Sequence, residues 1–520
     1  MRKAVQFLFI VLFLLFMAGC GSQSQVTTTP VSTNPADVPV SLSITDTPPA
    51  GVTVLFFQLT ITGATLTSSS GGTVSLLSSA NPIPVNISQL LTDTAFLGSA
   101  NVPAGTYNSL SLNLANPQLT IFNGSDSAIA STCALNTVCQ LQPNTSPLTL
   151  TFPSSGASST APFPVTLSAN SPLAFKLDIH LDAVIQSDLS VNLNATNGVT
   201  ISQLPAPPSG MPFPHLGHLK GTIQSVNTSA STNGFTLQAR DGRTFTIDVN
   251  SSTTYNYPGS VCSADNFSCL APQQIVKVEV SLQTDGTLLA SEVDYVQLAG
   301  QTTVEGNIIR LSTSGGNTLM DLILQNGPAA SSTLPLGHRV TVTVPAGAAY
   351  AIDSGSFTLP GGLSFASASD LIVGQEVSVV VQGSVTTASG SNSWTPWTGP
   401  APITFTTNSV TLEPSQITGT VAALPTPQGS LSFTLATKPV FFVPPSATPG
   451  ATPAWAPVII TVETTSATTF TNFTTDSLSG LALNDIVSVG GRIFSTPSGA
   501  TAITQAAETV VDRPGVVPLF

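Results

Sequence analysis

Charged residues are scarce in this chain of 520 residues. Only 7% of them are charged, whereas soluble domains typically contain about 25%. The chain has 12 lysines and arginines against 25 aspartates and glutamates, which gives a net charge of −13, and no basic residue lies between Lys3 and Lys176. Because bound phosphate groups are neutralised by basic side chains, this composition excludes nucleic acid as a partner.

Sequence signatures of catalysis are also missing. The chain has no G-x-S-x-G, H-E-x-x-H or P-loop pattern. Only four histidines are present: His180, His215, His218 and His338. His215 and His218 fall in a proline-rich stretch, where we expect solvent-exposed side chains, with metal binding as the weaker alternative. The carboxylates form no recognisable acid–base pair. We therefore expect a non-enzymatic protein without a cofactor.

The N-terminal segment carries the only long apolar run near the start of the chain. Arg2 and Lys3 precede an uninterrupted apolar stretch at residues 7–17. This stretch has about half the length that a membrane-spanning helix needs, so residues 1–19 are predicted to be a signal peptide.

The end of this segment, Met17-Ala18-Gly19-Cys20, resembles the lipobox of bacterial lipoprotein signals. The resemblance implies that Cys20 becomes the mature N-terminus, carries acyl chains such as palmitate and anchors the protein in a membrane. An ordinary signal peptide with an incidental cysteine is the alternative.

The five cysteines form an odd set. Cys20 is assigned to the anchor, which leaves two pairs close in sequence, Cys133 with Cys139 and Cys262 with Cys269. Neither spacing is a zinc or thioredoxin-type pattern, and no histidine lies nearby. In an oxidising compartment, we expect each pair to form a short-range disulfide.

The rest of the chain is predicted to be all-β. Residues 20–37 comprise the lipidated cysteine and a flexible tether, and residues 205–217 form a proline-rich linker. Between them, residues 38–204 alternate apolar and polar side chains with period two, as in FKLDIHLD at residues 175–182. This pattern predicts one antiparallel β-sandwich over residues 38–204.

Four sequence motifs of the predicted sandwich carry a family resemblance. Together, and in this order along the chain, they resemble an uncharacterised domain found at the N-terminus of many bacterial lipoproteins, a family without established catalytic residues. Asp46 and the Pro103–Tyr107 stretch have structural explanations, since Asp, Pro and Gly favour turns. The motifs are ITDTPPAGV (44–52), VNISQLL (85–91), VPAGTYNSLSLNL (102–114) and LDIHLDA (177–183).

An internal repeat follows the linker. Three nine-residue stretches align without gaps: LAPQQIVKV (270–278), LIVGQEVSV (371–379) and LALNDIVSV (481–489). A strand with a fixed glycine precedes each of them, at Gly221, Gly306 and Gly419, and the glycine suits a bulge or a sharp bend.

The repeat predicts three tandem small β-barrels, with an OB-like fold as one form. They cover residues 218–298, 299–412 and 413–513, and residues 514–520 form a tail. The units resemble a second uncharacterised repeat that often follows lipoprotein signals.

Alternate strand positions bring three polar residues to one predicted face. Asp178, His180 and Asp182 offer oxygen and nitrogen atoms that could ligate a divalent ion. The alternative, which we favour, is the solvated face of a strand with Lys176 beside it and no metal.

Aromatic residues in loops are the candidate binding residues. All three tryptophans, Trp394, Trp397 and Trp455, lie in proline-rich insertions of the second and third repeats. Tyr255 and Tyr257 occupy the analogous rim of the first repeat. Exposed rings can bind sugars or protein partners, but the alternative, which we favour, is that each ring caps its own barrel.

These features favour a lipid-anchored, non-enzymatic envelope protein, with an extended rod of β domains that binds polysaccharide or a protein partner. The alternative is a structural spacer or assembly component without a small ligand. Gly21 is not the aspartate that retains enterobacterial lipoproteins at the inner membrane, so the resemblance implies the outer membrane or the cell surface.

Overall fold

A computed structural model of the chain describes residues 37–47, 53–78, 80–123, 137–141, 148–152, 162–169, 171–186, 190–207, 211, 213–228, 233–258, 261–298, 300, 302–327, 333–353, 355, 357–387, 397–398, 402–424, 431–437, 458–495 and 503–513. The predicted signal peptide, Cys20, the tether up to residue 36 and the predicted tail at 514–520 lie outside these residues.

The N-terminal domain consists of strands whose residues alternate between its core and its surface. Its elements are β1 (Asp37–Thr47), β2 (Thr53–Ser68), β3 (Thr73–Leu77), β4 (Ile83–Asn86), the 3₁₀ turn η1 (Ile87–Gln89), β5 (Ala95–Pro103), β6 (Gly105–Asn123), β7 (Thr137–Leu141), β8 (Leu148–Phe152), β9 (Val165–Leu167), β10 (Leu173–His180), the single helical turn α1 (Leu181–Val184) and β11 (Val199–Gln203).

These strands form two facing layers, which confirms the predicted sandwich. One layer has the order β11–β10–β1–β5, and the other has the order β7–β6–β2–β3, with β4 beside β2 and with β8 and β9 beside β6. Apolar residues of both layers, such as Leu42, Phe57, Leu112 and Phe175, share one core. Most pairs are antiparallel as predicted, but β1 and β10 are parallel, because no hairpin fixes the direction of strands so distant in sequence.

Three β units follow the N-terminal domain. Barrel 1 comprises β12 (Phe213–Thr228), β13 (Asn233–Ala239), β14 (Thr244–Val249), β15 (Thr254–Asn256), the turn η2 (Phe267–Cys269), β16 (Gln274–Leu282) and β17 (Leu288–Leu298). Barrel 2 comprises β18 (Thr303–Ser314), β19 (Asn317–Asn326), β20 (Arg339–Val344), β21 (Ala349–Ile352), η3 (Ala368–Asp370), β22 (Glu376–Val380), β23 (Gln382–Thr387), β24 (Trp397–Thr398), β25 (Ile403–Thr406) and β26 (Ser409–Glu413). Barrel 3 comprises β27 (Ser415–Ala423), β28 (Ser432–Thr437), β29 (Val458–Glu463), β30 (Thr469–Thr471), η4 (Leu478–Gly480), β31 (Ile486–Ser495) and β32 (Ile503–Asp512).

The three units share one pairing scheme. In barrel 1 the strands close a ring in the order β12–β13–β14–β17–β16 and back to β12. Barrel 3 closes in the same way through β27–β28–β29–β32–β31. In barrel 2 the strand equivalent to β17 is divided into β25 and β26, while the other pairings are kept. The all-β prediction is therefore confirmed.

A close backbone approach explains the fixed glycine of each unit. A Cβ atom at Gly306 would lie 2.5 Å from the Ile323 carbonyl oxygen, and one at Gly419 would lie 2.6 Å from that of Ala436. Gly221 approaches the neighbouring strand in the same manner. Each first strand carries register shifts in its pairing with the second strand, so the glycine accompanies a bend, as the sequence predicts.

The nine-residue repeat forms the same turn in every barrel. The backbone has a positive φ at Gln273 (69°), Gly374 (97°) and Asn484 (70°), which align in the repeat. The side chain of the next residue closes the turn by accepting a hydrogen bond from a backbone amide, in the pairs Ala271→Gln274, Ile372→Gln375 and Ala482→Asp485.

The expectation of an extended rod is wrong, because Asp37–Phe520 form one compact unit. Strand β12 also begins at Phe213, inside the stretch predicted to be a linker. The proline at position 214 is tolerated there because the β12–β16 register is interrupted between Phe213 and Gly217, where no ladder amide is needed. Beyond this interruption β12 also pairs with β5, through His218 and Ala95.

A second apolar cluster joins the N-terminal domain to barrel 2. Leu55, Phe56 and Phe122 of the sandwich pack with Ile309 and Ile323 of the barrel. This cluster is separate from both domain cores and buries the outer face of the second layer of the sandwich. Burial of such side chains stabilises the association by about 1.5–3 kcal/mol for each fully buried residue.

Candidate functional site: the junction between the domains

The predicted metal-binding triplet is not aligned along one strand. Asp178 and His180 lie on β10, and His180 Nε2 is 3.8 Å from Asp178 Oδ2. The strand ends at His180 and Asp182 belongs to α1, so the alternation stops before the third residue. Among the residues that the structure describes, no group of three His, Cys, Asp or Glu side chains is placed to hold a metal ion.

The tryptophan insertions lie almost wholly outside the described residues, which include neither Trp394 nor Trp455. The exception is β24, which pairs in parallel with β7, with Trp397 opposite Val138 and Thr398 opposite Cys139. The insertion of barrel 2 therefore extends a sheet of the N-terminal domain.

The two rim tyrosines belong to the interior of barrel 1. Tyr257 is only 7% exposed, and its hydroxyl donates a hydrogen bond to Gln274 Oε1 at 3.1 Å. Tyr255 is half-buried and packs against the same core, and burial raises the pKa of its hydroxyl to about 12. Tyr257 therefore caps the barrel, which is the alternative that the sequence analysis favours.

The cysteines of the second pair are bonded. Cys262 and Cys269 form a disulfide with their Cα atoms 5.6 Å apart. Cys139 is also disulfide-bonded, whereas its predicted partner Cys133 lies outside the described residues.

The residues with the densest polar contacts between domains lie elsewhere, in a short stretch after β4. Residues 86–94, NISQLLTDT, include η1 and connect β4 to β5. They contact all three barrels, and we call them the junction segment.

Barrel 1 binds the acidic end of the junction segment. His218 Nδ1 lies 2.7 Å from Asp93 Oδ1 and donates to it, since an ionised carboxylate can only accept. Lys277 Nζ lies 3.5 Å from the other oxygen, Asp93 Oδ2, and the His218 amide donates to the Thr94 carbonyl oxygen at 3.0 Å. Burial alone would raise the pKa of the Asp93 carboxyl, but the charges of His218 and Lys277 lower it far below its ordinary value. His218 is thus part of a domain contact, and its side chain, which is 29% exposed, is less open to solvent than the sequence suggests.

Barrel 2 binds the start of the junction segment. The Asn86 amide group donates to the carbonyl oxygen and to Oε1 of Gln325, at 3.1 and 2.9 Å. Gln325, which is 3% exposed, donates in turn to the carbonyl oxygen of Leu55. Gln89 Nε2 donates to Glu376 Oε1 at 2.5 Å. The contact with barrel 2 is therefore made by the side-chain amides of Asn86 and Gln89.

Barrel 3 binds the middle of the junction segment. Gln416 is the main contact, since its Nε2 donates to the Gln89 carbonyl oxygen at 2.6 Å and its Oε1 accepts from the Thr92 amide at 3.2 Å. A Cβ atom at Gly490 would overlap the Thr92 hydroxyl, so the glycine permits this close approach.

The residue that follows β32, Arg513, closes the contact with barrel 3. Its guanidinium donates to the Leu91 carbonyl oxygen and to Ser488 Oγ. Burial lowers the pKa of Arg513, while the carboxylates of Asp178 and Asp46 oppose this shift. Asp46 is fully buried, so this charge interaction adds a role between domains to the turn-forming role that the sequence suggests.

Most of the cations that the structure describes join domains. Of the nine lysines and arginines among the described residues, six bond to a residue of another domain. These contacts are Lys220 with Glu305, Arg240 with Asn326, Arg243 with the Leu97 carbonyl, Lys277 with Asp93, Arg492 with the Asp353 carbonyl, and Arg513 with the Leu91 carbonyl.

No sequence pattern identifies the junction segment as a site, although the VNISQLL motif (85–91), which is one of the four that carry the family resemblance, ends inside it. The partners of this segment are distant in sequence: His218 lies 125 residues from Asp93, and Arg513 lies 422 residues from Leu91. The motif was the available signal, because its polar residues interrupt an otherwise alternating pattern.

A search of the described residues for membrane-spanning helices finds none with the length and apolar character needed.

Comparison with known proteins finds two family models. Residues 38–199 match "Domain of unknown function (DUF4382)", and residues 220–294 match "Domain of unknown function (DUF5666)". No curated protein matches the chain. Among solved structures, the "Crystal structure of the tetrameric p202 HIN2" is 10% identical and covers 39% of this chain and 96% of that chain, with a TM-score of 0.14. The sandwich and barrel 1 thus correspond to two domains of unknown function, which follow each other in this order.

Proposed function

We propose that the protein is a lipid-anchored, non-enzymatic component of a bacterial envelope that binds a polysaccharide or a protein partner. The proposal places Cys20 in the outer membrane or at the cell surface. The compact body Asp37–Phe520 then acts as a rigid platform for the tryptophan insertions of barrels 2 and 3.

The pairing of β24 with β7 is the observation that carries this proposal. It attaches the insertion with Trp397 to the sheet edge beside Cys139, so the insertion is held at a defined position on two domains. A binding loop fixed in this way loses less conformational freedom when its ligand binds.

The common pairing scheme supports a further part of the proposal. Barrels 2 and 3 have the ring closure, fixed glycine and positive-φ turn of barrel 1. We infer that they are further copies of the repeat whose family model matches barrel 1, and that the insertions are their specialised parts.

Tryptophan emission of the body tests the binding proposal. All three tryptophans lie in the insertions, so titration with cell-wall polysaccharide fractions reports on these loops alone. A saturable blue shift that is lost in Trp397→Ala and kept in Tyr255→Phe is expected. Emission that is blue at the start and indifferent to every fraction contradicts the proposal.

A structural component without a small ligand is the second candidate. The extensive polar junction favours it, because a rigid body is itself useful for assembly. Normal envelope assembly in cells that carry Trp394→Ala, Trp397→Ala and Trp455→Ala together would support this candidate over ligand binding.

A further inference from the structure

Glu376 occupies an unusual place in the junction. It is 8% exposed, its carboxyl group accepts a hydrogen bond from Gln89 of the junction segment, and its backbone amide donates to Ser415 Oγ, at the start of barrel 3, at 2.8 Å. One residue thus contacts both the N-terminal domain, through its side chain, and barrel 3, through its backbone, while it belongs to barrel 2.

The groups around Glu376 are mostly acidic. Across the β22–β26 ladder its direct partner is Glu413, and directly opposed like charges in a ladder destabilise it. Glu305 on β18 is a further acidic neighbour, and the cations that oppose these carboxyls are Lys220 on β12 and Lys277 on β16. Lys220 is already paired with Glu305, and Lys277 with Asp93.

The polar neutral neighbours do not remove this excess of negative charge. Asn307 on β18 and Gln89 donate hydrogen bonds to the Glu376 carboxyl, and Asp353 is an additional acidic neighbour of Glu413. Three carboxyl groups, those of Glu376, Glu413 and Glu305, thus share the two lysines Lys220 and Lys277. Protonation of Glu376 is therefore favoured while the junction is closed.

We propose that Glu376 is a pH-sensitive latch: the N-terminal domain stays docked on barrels 2 and 3 while its carboxyl is protonated, and undocks as it ionises. The step is a simple loss of one proton to solvent. It leaves a carboxylate that gains hydration only when the junction segment moves away from it.

The direction of the pH dependence follows from the pKa values. Burial, followed by the charge of Glu305, raises the pKa of Glu376 from 4.5 to about 8. A carboxyl freed from the junction has the lower pKa and holds fewer protons, so docking weakens as the pH rises from about 4.5 through about 8. The pKa of Asp93 is lowered, so this carboxyl stays ionised over this whole range and does not itself take up or release a proton.

Hydrogen–deuterium exchange of residues 86–94 in the Asp37–Phe520 body tests the latch. Protection factors, taken against the unfolded chain at the same pH, remove the intrinsic pH dependence of exchange. We expect the protection of this peptide to fall by up to about tenfold per pH unit between pH 6 and pH 8. Protection in the sandwich core, for example at β2, should change far less.

Two variants isolate the carboxyl. Glu376→Gln resembles the protonated acid and should keep the peptide protected at every pH, whereas the matched change Glu463→Gln on β29 should follow the wild type. Equal pH dependence in Glu376→Gln and the wild type overturns the proposal. If Glu376→Gln fails to fold, the wild-type series still decides, because protection of residues 86–94 that is constant from pH 6 to pH 9 also overturns it.

Discussion

Replacing Arg513 with methionine should destabilise the body strongly, because this side chain joins the end of barrel 3 to the N-terminal domain. Arg513 is 9% exposed, and Asp46, whose charge acts on it, is fully buried. Removing one partner of a buried charge pair typically costs about 3–5 kcal/mol, since the other charge stays buried without compensation. The loss includes the hydrogen bonds that the guanidinium donates to Leu91 and Ser488.

The assay is urea denaturation of the Asp37–Phe520 body at pH 7, followed by far-ultraviolet circular dichroism. Arg310→Met is the matched control, because the Arg310 side chain is 37% exposed and lies 4.0 Å from Asp321. Asp321 keeps Arg339 as a partner at 2.8 Å in this variant, and an ion pair made by an exposed arginine contributes about 1 kcal/mol at most. Asp46→Asn added to Arg513→Met should restore part of the stability by removing the uncompensated charge. Equal losses in the two arginine variants, or no recovery in the double variant, would refute the reasoning.

Three further predictions concern the barrels and their contacts. Gln273→Gly should raise the free energy of unfolding by up to about 1 kcal/mol, measured from the urea midpoint. The reason is that Gln273 has a φ of 69°, which glycine adopts freely. A loss of stability would contradict the argument that this backbone position is strained. Tyr350→Phe should be neutral or stabilising by about 1 kcal/mol in the same assay, because the Tyr350 hydroxyl is buried without a hydrogen-bond partner among the described residues. Phe470 lies at the equivalent position of barrel 3, since β21 and β30 pair in the same way with the last strand of their barrels. A loss above 1 kcal/mol would contradict this expectation. Gly337→Ala should lower the thermal midpoint of unfolding by several degrees. Gly337 has a φ of 72°, and a Cβ atom added there would overlap the Phe56 ring. An unchanged midpoint would contradict the prediction.

The local structure of the chain could be predicted from its sequence because side-chain alternation and turn residues act over short distances. The period-two runs became strands, and the aligned repeats became units with equal pairing schemes. The fixed glycines lie where the backbones of two neighbouring strands approach each other closely, in agreement with the bulge or bend that the sequence predicts.

The association of the domains could not be predicted in the same way. Proline density at residues 205–217 indicates a linker, but an interrupted register lets β12 begin at Phe213. The contact of His218 with Asp93 spans 125 residues, and no local pattern encodes such a pair. The sequence leaves open whether Tyr257 at the rim of barrel 1 caps the barrel or binds a ligand, and only its burial in the structure decides for capping.

Small-angle X-ray scattering of the Asp37–Phe520 body at pH 6 tests most directly whether the junction segment unites the four domains. A compact body of this length has a radius of gyration of about 23 Å, and we expect a value close to it with a single maximum in the distance distribution. A much larger radius, with the elongated distribution of a string of separate domains, would contradict the proposed junction.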